Sequence, residues 1–558
     1  MTDGVIPPGL VLIVGAFLLP FVGPVLRRLL ILVLPLLALV LVWDVADGPA
    51  WTLSWLGYEL MPLAGDNLSR MFGTVFSIMA FVGGVYALNQ QRTTELVAAY
   101  AYAGSALGVV FAGDLITVFV YWELMAIAST LVVVSAGRHA YGSAMRYAVI
   151  HFLGGVLLMA GIAGEIAQTG SIAFQAMQTD SLFRWLILAG FVINTGAPPL
   201  QAWLPDAYPQ ASWSGTVFLS AFTTKTAVYT LIRGFPGADV LIWLGIFMIF
   251  YGLVYALNEN DTRRKLAYSI INQVGFMVAA TGIGSTMALN GAATHAFVHI
   301  IYKALLLMSA GSVLYVTGKS KFTQLGGLFR TMPATTICCL IGALSISATP
   351  FTSGFPAKSL IAEGAAEAGP LLWFLITGAA AGVLIVAIKL PWFIFFQKDS
   401  GLRPPEPPLN QRIAMYLASA MCIGFGLFPG VLYSMLPVPV EYDPYTVDHV
   451  IFQFQILVFA TLAFFLLLGV LKRTETISLD VDWFWRGFGP ALAREFNGLS
   501  AKAWYRFAER AVRASHKFAE SVYRHHGPDG ILARTWPTGA MALWTAILLA
   551  AYLLIYYL

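Results

Sequence analysis

The stretch THAFVHIIYKALLLM at residues 294–308 decides the fold class, because it sets His295, His299 and Lys303 in a run that is otherwise apolar. The three residues are four positions apart and share one helix face over about 12 Å. Ionisable side chains in a membrane helix are costly and normally face a bundle interior or a water-filled cavity. Two histidines and a lysine in line suit a proton relay, whereas a transition-metal site would lack a third nearby ligand.

Apolar runs of about 20 residues recur on both sides of this stretch, each about long enough to cross a bilayer. The 558 residues are 58% hydrophobic and 11% charged, whereas soluble domains contain roughly 25% charged residues. The sequence therefore predicts an all-α polytopic membrane protein. We expect sixteen transmembrane segments, near 6–26, 28–44, 68–88, 94–112, 115–136, 142–166, 185–206, 213–234, 238–258, 265–285, 288–316, 334–362, 370–396, 411–435, 451–471 and 538–558.

Two of these segments are expected to be interrupted. The seventh carries Pro198 and Pro199, and the twelfth carries Pro350 and Gly354. Proline lacks a backbone donor and clashes with the preceding helical turn. Broken helices at matching places in two halves predict an inverted repeat with ion sites at the breaks.

Charge in the loops indicates orientation. Lysines and arginines concentrate in alternate loops, such as those at Arg92, Arg263 and Lys319, whereas intervening loops carry acids such as Glu59 and Asp443. By the positive-inside rule, this alternation predicts that both termini lie on the non-cytoplasmic side. We expect a multi-pass protein of a bacterial inner membrane, in contact with lipid and without a nucleic-acid partner.

Residues 480–536 differ from the rest, because aromatic and basic residues alternate there at helical spacing. This pattern is typical of an amphipathic helix that lies at the cytoplasmic membrane face. Two roles are open for it. It could be a basic anchor that binds lipid head groups, or a strut packed along a neighbouring subunit.

Five basic residues fall within the predicted spans, namely Arg146, Lys225, Lys303, Lys358 and Lys389. Each ionised base at mid-bilayer costs roughly 2.5–3.5 kcal/mol on insertion scales, so we expect these groups to be neutral, paired or beside water. A buried lysine with a depressed pKa can bind and release a proton near neutral pH. Lys225 and Lys358 fit that role. Lys389 lies nearer a helix end, where snorkelling is the alternative, and Arg146 is interpreted as an interface anchor.

Glu123, in YWELM, is the only acid near the middle of a predicted span. It could pair with a lysine and modulate that lysine's proton affinity. The alternative is a static buried ion pair, although such pairs can often be replaced by apolar packing without loss. His151 could be a hydrogen-bonded packing residue, and Glu165 is expected at the outer end of its helix.

Cysteine and glycine patterns give no sign of a cofactor. Cys338 and Cys339 are adjacent, Cys422 is remote, and no CxxC or GxxxxGK[ST] motif occurs. We therefore expect no cofactor and no metal centre. Energy must come from an ion gradient or from a partner subunit.

Several ordered stretches resemble the antiporter-like subunits of respiratory complex I, membrane-bound hydrogenases and Mrp-type Na+/H+ antiporters, most of all the D-type subunit of the Mrp antiporters. The resemblance covers about residues 65–435. It is carried by VYWELM at 120–125, PPLQAWLPDAYPQA at 198–211, SAFTTKTAVY at 220–229, NDTRRKLAYSIINQVGF at 260–276, HAFVHIIYKALL at 295–306 and SGFPAKSLI at 353–361.

The resemblance implies a fourteen-helix core with two inverted five-helix repeats, each centred on a broken helix, the seventh and the twelfth. An amphipathic helix and a final transmembrane helix follow. The implied division is residues 1–93 for helices 1–3, 94–236 for the first repeat, 237–397 for the second, 398–475 for helices 14–15, 476–537 for the amphipathic helix and 538–558 for the final helix.

The resemblance also implies roles for individual residues. Glu123 would be the acid of a Glu–Lys pair, and Lys225 would be the connecting lysine. His295, His299 and Lys303 would form the central relay. Lys358 would be the terminal lysine of the second half-channel.

Two features depart from the family pattern. Asn194 stands where the family has the partner lysine of the first broken helix. Either Glu123 pairs elsewhere, for instance with Lys225, or the first half-site has a different role from that of a standard proton channel. Asn194 is a candidate neutral ligand for a cation or for water, with backbone capping as the alternative. The sixteenth segment is more typical of the largest antiporter-like subunit of complex I than of the D-type subunit.

These patterns predict an ion-transporter subunit rather than an enzyme. The subunit would move H+ along Glu123, Lys225, Lys358, Lys389 and the stripe at 295–303, in exchange for Na+ or K+. Its partners would be the other subunits of a membrane complex. The alternatives are the proton-pumping arm of a redox-driven, complex I-like or hydrogenase complex, or a subunit that drives inorganic carbon uptake with a proton gradient. A passive scaffold with relic charges is a third interpretation.

Overall fold

The computed structural model describes residues 6–475, 479–527 and 537–557, which are mostly helical. Side-chain caps fix several helix starts, because a carboxylate or hydroxyl accepts from backbone N–H groups that lack an intrahelical partner. Asp66, Asp114 and Ser285 each accept such a bond at the start of a long apolar helix. The chain divides into two compact units, Met1–Asp482 and Trp483–Leu558.

Nineteen α-helices form the described part of the first unit. They are α1 (Pro8–Leu18), α2 (Pro24–Asp44), α3 (Asn67–Tyr86), α4 (Thr93–Phe111), α5 (Leu115–Val134), α6 (Tyr141–Thr169), α7 (Leu182–Thr195), α8 (Trp203–Ala207), α9 (Gly215–Ala221), α10 (Thr223–Gly234), α11 (Asp239–Asn258), α12 (Thr262–Ile283), α13 (Thr286–Thr317), α14 (Pro333–Ile346), α15 (Gly354–Ala368), α16 (Pro370–Pro391), α17 (Leu409–Leu427), α18 (Pro429–Tyr433) and α19 (Val447–Leu466).

Eleven helices of the described residues are long and apolar enough to cross a membrane, and shorter apolar helices accompany them. The protein is therefore a helical, polytopic membrane protein. Every predicted segment coincides with one helix or with two helices separated by a short break. The number of sixteen crossings stays a prediction.

The core of the first unit lies around α12 and α13. In each of these helices 94% of the apolar window is buried inside the protein, compared with 17% in α19. A lipid-facing helix exposes apolar side chains, so α19 has the surface expected at the bilayer and α12 and α13 have the surroundings of a bundle centre.

Four predicted segments are each divided into two helices: segments seven, eight, twelve and fourteen, the last between α17 and α18. α7 ends at Thr195, where Gly196 has a φ of 78°, and the helix resumes as α8. α14 ends at Ile346 and α15 begins at Gly354, which agrees with the breaks predicted in segments seven and twelve. The eighth segment is also divided, at Phe222 between α9 and α10; no proline marks this break, and the prediction of a continuous span there was wrong.

A β-hairpin joins α2 to α3, in a stretch that we expected to be a loop. β1 (Gly48–Trp55) pairs antiparallel with β2 (Tyr58–Gly65), from Gly48 opposite Gly65 to Trp55 opposite Tyr58. The two turn residues, Leu56 and Gly57, have φ angles of 48° and 82°. Positive φ at both central positions matches the twist of a two-residue hairpin.

The second unit contains α20 (Gly489–His526) and α21 (Thr538–Tyr557). α20 has the 38 residues of one long helix in the predicted amphipathic region. Residues 476–478 and 528–536, which belong to the predicted 476–537 element, lie outside the described residues. α21 is apolar and long enough to cross a membrane.

Candidate functional site

Two buried lysines are held by backbone carbonyls at the helix breaks. Nζ of Lys225, just after the break at Phe222, donates to the carbonyl of Ser220 at 2.7 Å. Nζ of Lys358, in the first turn of α15, donates to the carbonyl of Ile346 at 2.7 Å. A break leaves the carbonyls of the preceding turn without intrahelical donors. Each lysine therefore lies beyond a break and contacts the carbonyl end of the helix before it.

The predicted stripe on α13 is buried at the centre of the first unit. The rings of His295 and His299 are nearly parallel, with their centroids 6.0 Å apart. Nε2 of His295 is 3.2 Å from the hydroxyl of Tyr302. Nζ of Lys303 donates to Oγ of Ser269 on α12 at 2.8 Å. Neither ring nitrogen of His299 has a hydrogen-bond partner among the described residues.

The lysines of the core share one property: they are buried without an acidic partner. Lys225, Lys265, Lys303, Lys358 and Lys389 are each at most 9% exposed. None of them belongs to an ion pair in the part of the chain that the structure describes. Partly buried arginines behave differently: Arg146 pairs with Asp206, Arg184 with Glu165 and Arg233 with Asp66.

Sequence reasoning missed Lys265, which is at the very start of the tenth predicted segment and adjoins the basic loop at Arg263. It lies in the first turn of α12 and is 1% exposed. Three consecutive basic residues at a helix start are typical of an interface cluster. Tertiary packing buries Lys265 instead, with its Nζ against the carbonyl of Val386 on α16. The count of five basic residues within the spans was therefore too low.

Lys389 is buried inside the first unit. It is 3% exposed, its Nζ donates to the carbonyl of Leu257 near the end of α11, and it lies 5.9 Å from the ring centroid of Phe322. These contacts hold the ammonium inside the protein, and its role in proton transfer stays a prediction.

Glu123 is half-buried on α5 and faces α6. An added Cβ at Gly155 would lie 1.7 Å from its Oε1, so the glycine provides the space that the carboxylate occupies. Oε1 has no hydrogen-bond partner, and Glu123 is in no ion pair, among the described residues. A pair between Glu123 and Lys225 is not formed in this structure, where Lys225 contacts Ser220 instead.

Asn194 lies at the end of α7 and is fully buried. In the described part of the chain neither its Oδ1 nor its Nδ2 has a hydrogen-bond partner. The capping alternative is therefore wrong. The indole of Trp203 instead donates to the carbonyl of Ile193 at 3.1 Å, across the first break.

The weaker candidates of the first half have structural contacts. Nδ1 of His151 is 3.0 Å from the carbonyl of Tyr147, and the two rings stack with centroids 3.9 Å apart. Arg146 forms an ion pair with Asp206 at 2.7 Å, and Glu165 pairs with Arg184 at 2.8 Å. These contacts agree with the packing interpretation of His151.

Residues 112–384 match the family model described as NADH:quinone oxidoreductase/Mrp antiporter, transmembrane. Chain 5 of the NAD(P)H-quinone oxidoreductase of Picosynechococcus sp. is 30% identical over 418 residues, which are 67% of this chain and 62% of that relative. The D-type subunit of the Na+/H+ antiporter of Alkalihalophilus pseudofirmus is 29% identical over 402 residues, 64% of this chain and 80% of that relative.

A solved structure has a similar fold over nearly the whole length. It is a chain of the membrane-bound sulfane sulfur reductase, an archaeal respiratory membrane complex, with a TM-score of 0.72 and 23% identity. The match covers 98% of this chain and 99% of that chain. By contrast, the matched part of the cyanobacterial chain 5 is less than two thirds of that relative's length.

Proposed function

This chain belongs to the NADH:quinone oxidoreductase/Mrp antiporter family, and from that premise we propose that it is the proton-translocating subunit of a multisubunit Na+ or K+/proton antiporter. Its partners would be the other membrane subunits of that assembly. We propose a bacterial inner membrane as its location, with both termini outside the cytoplasm, sixteen crossings and two inverted five-helix repeats around α7–α8 and α14–α15.

The observation that carries this proposal is the row of buried lysines without acidic partners. A lysine that serves only to balance a carboxylate would be found beside one. These lysines contact carbonyls and a hydroxyl instead, and such groups accept from the ammonium without fixing its charge. The amine is therefore free to exist in both protonation states, as proton transfer requires.

The buried lysines and the two histidines of α13 can be ordered by which charged group acts most strongly on each. Among the charged groups, Lys358 acts most strongly on His295, and Lys225 acts most strongly on His299. Lys303 is within electrostatic range of both lysines. We infer that protons pass between Lys358, His295, His299, Lys225 and Lys303. Lys389 would continue the pathway at its other end, and Glu123 would be the acid of the first inverted repeat. Like charges in a low-dielectric interior repel, so a proton that arrives at one lysine favours release from its neighbour.

Asn194 places an uncharged amide at the break between α7 and α8, where the family has a lysine. An amide with both polar atoms unpartnered among the described residues is suited to bind water or a desolvated monovalent cation through its oxygen. We propose this role for Asn194, beside the break between α7 and α8.

A second candidate function is the proton-pumping arm of a redox-driven complex. It is favoured by the fold of a chain in an archaeal respiratory membrane complex, which matches over almost the full length. In that case electron transfer in a partner subunit would drive proton movement along the same buried lysines. Partner subunits with Fe–S or quinone sites in the purified complex would favour this candidate.

Proton movement in vesicles distinguishes these functions. The chain would be expressed with its co-encoded subunits in antiporter-deficient bacteria, and a pH-sensitive dye would report proton movement in everted vesicles. We expect addition of Na+ or K+ to dissipate a preformed pH gradient, and Lys358→Met to abolish the response. The exposed Lys319, as Lys319→Met, is the matched control. No response of the wild-type complex to either cation would refute the antiporter function.

A further inference from the structure

Lys265 is a buried base that is not part of the proton pathway proposed above. Its Nζ donates to the carbonyl of Val386 on α16. A carbonyl within an α-helix already accepts from the N–H four residues later, so it does not require a lysine. Among the described residues Lys265 belongs to no ion pair. Neither backbone satisfaction nor charge balance accounts for a lysine here.

The surroundings of Lys265 connect it to two other buried lysines. Ser269, one helical turn later on α12, accepts the hydrogen bond of Lys303 at 2.8 Å. Val386, which Lys265 contacts, lies one turn before Lys389 on α16. A turn of α-helix rises about 5.4 Å. α12 and α16 therefore bring Lys303, Lys265 and Lys389 into succession.

The electrostatic contacts agree with this succession. Among the charged groups, Lys265 acts most strongly on Lys303, and Lys389 acts most strongly on Lys265. The charged group that acts on Lys389 is Glu259. Its carboxylate accepts from the backbone N–H groups of Asn260 and Asp261 just before α12.

We propose that Lys265 is a proton-carrying residue that links Lys303 to Lys389 and gives the central row a branch toward the start of α12. Arg264 in the first turn of α12 and Lys319 and Lys321 in the loop after α13 are basic, which places the branch on the predicted cytoplasmic side. The inference rests on the proposed function and extends it. It assigns the cytoplasmic port to the region where α11, α12 and α16 meet.

The transfer conserves charge and needs no redox partner. An N–H bond of the Lys303 ammonium breaks, its proton passes through water, and a new N–H bond forms on the neutral amine of Lys265. The first group becomes neutral as the second becomes an ammonium. The same exchange between Lys265 and Lys389 completes the branch, and it runs in reverse for protons that enter.

Two substitutions separate proton transfer from a structural role. Arginine retains the positive charge and the hydrogen-bond donors but does not release its proton in proteins. Histidine is smaller but titrates. If Lys265 only bound the Val386 carbonyl or supplied a charge, Lys265→Arg would preserve function and Lys265→His would not.

The test measures proton movement in everted vesicles that contain the complete complex, with complex yield and thermal midpoint as checks of assembly. We expect Lys265→Arg to lower the rate about 10²-fold, the low end of the effect of a positioned acid–base group, and Lys265→His to retain a clearly higher rate. Lys319→Arg, on an exposed lysine of the same side, is the matched control and should transport as wild type.

Each outcome supports or overturns the proton-carrying role of Lys265. Wild-type rates for Lys265→Arg would overturn the inference while leaving the proposed function intact. Equal loss in the arginine and histidine variants of a normally assembled complex would also overturn it. A wild-type complex that moves no protons on addition of Na+ or K+ would instead refute the antiporter function, and the inference with it.

Discussion

At the scale of single residues, the buried lysines differ from Arg146 and Arg184 by the groups that hold them. Arg146 and Arg184 form ion pairs with carboxylates, and their guanidinium groups remain charged in proteins, so we interpret their contribution as structural. Lys225 and Lys358 are fixed by carbonyls at helix breaks. A carbonyl accepts a hydrogen bond from an ammonium or from a neutral amine, and this contact therefore survives loss of the proton.

The first prediction concerns Lys225. Lys225→Met removes the titrating group and retains most of the side-chain volume, so we expect normal assembly and a loss of proton transport of about 10²-fold. Transport in everted vesicles measures the rate, and size-exclusion chromatography measures assembly. Wild-type transport in Lys225→Met would show that this lysine carries no proton.

The second prediction concerns Asn194. Asn194→Leu removes two buried polar atoms that lack partners among the described residues, and replacing such atoms by an apolar group of similar shape is nearly neutral or stabilising. We expect an unchanged or higher thermal midpoint together with a raised KM for the transported cation. An unchanged KM would contradict the role of Asn194 as a ligand.

At the scale of elements, the helix breaks determine where chemistry is available. Two breaks follow from proline and glycine signals in the sequence, and the structure confirms them. The break at Phe222 has no such signal and depends on tertiary packing. Lys225 lies three residues after this break. Its contact with the carbonyl of Ser220 therefore could not be derived from the sequence.

The remaining differences from the sequence-based predictions have equally local causes. The apolar runs predicted the positions of the helices because length and hydropathy decide membrane insertion. The hairpin from Gly48 to Gly65 was missed because it lies between two apolar helices, in a stretch that carries no strict alternation. Lys265 was missed because burial at a helix start depends on which helix packs over it, and the sequence does not give that.

The third prediction concerns the contact between α5 and α6. Gly155→Ala would place a methyl group where Oε1 of Glu123 now lies. Because the clashing atom ends a flexible side chain, we expect the fold to survive and transport to fall as the carboxylate is displaced. Gly378→Ala on α16, which has nothing within 4 Å of the added carbon, is the matched control.

A double substitution tests the mechanism of that effect. If Gly155→Ala acts through Glu123, then adding it to Glu123→Ala should cause no further loss of transport. An additional loss in the double variant would mean that the methyl group disturbs α5 and α6 in another way. Both variants are compared by vesicle transport and thermal midpoint.

At the scale of the whole molecule, the first unit surrounds its polar row with apolar helices, and the second unit contributes a long helix and an apolar one. Orientation in the membrane follows from loop charge, because basic loops are retained in the cytoplasm. The exposed residues Lys319 and Glu441 lie in loops assigned to opposite sides.

The fourth prediction uses these two loops. Lys319→Cys and Glu441→Cys would be labelled in intact cells with a membrane-impermeant maleimide; the native Cys338, Cys339 and Cys422 are buried and give a low background. We expect Glu441→Cys to react in intact cells and Lys319→Cys to react only in everted vesicles. The reverse pattern would invert the assigned topology and move the proposed branch at Lys265 to the outer side.

The account depends on one physical claim, that the buried lysines and histidines are joined by solvent through which protons move. A cryo-electron-microscopy map of the intact complex, at a resolution that shows ordered water, tests it most directly. We predict water between Lys358 and His295, between His299 and Lys225, and from Lys303 to Lys265. Dry apolar packing between these groups would contradict the claim.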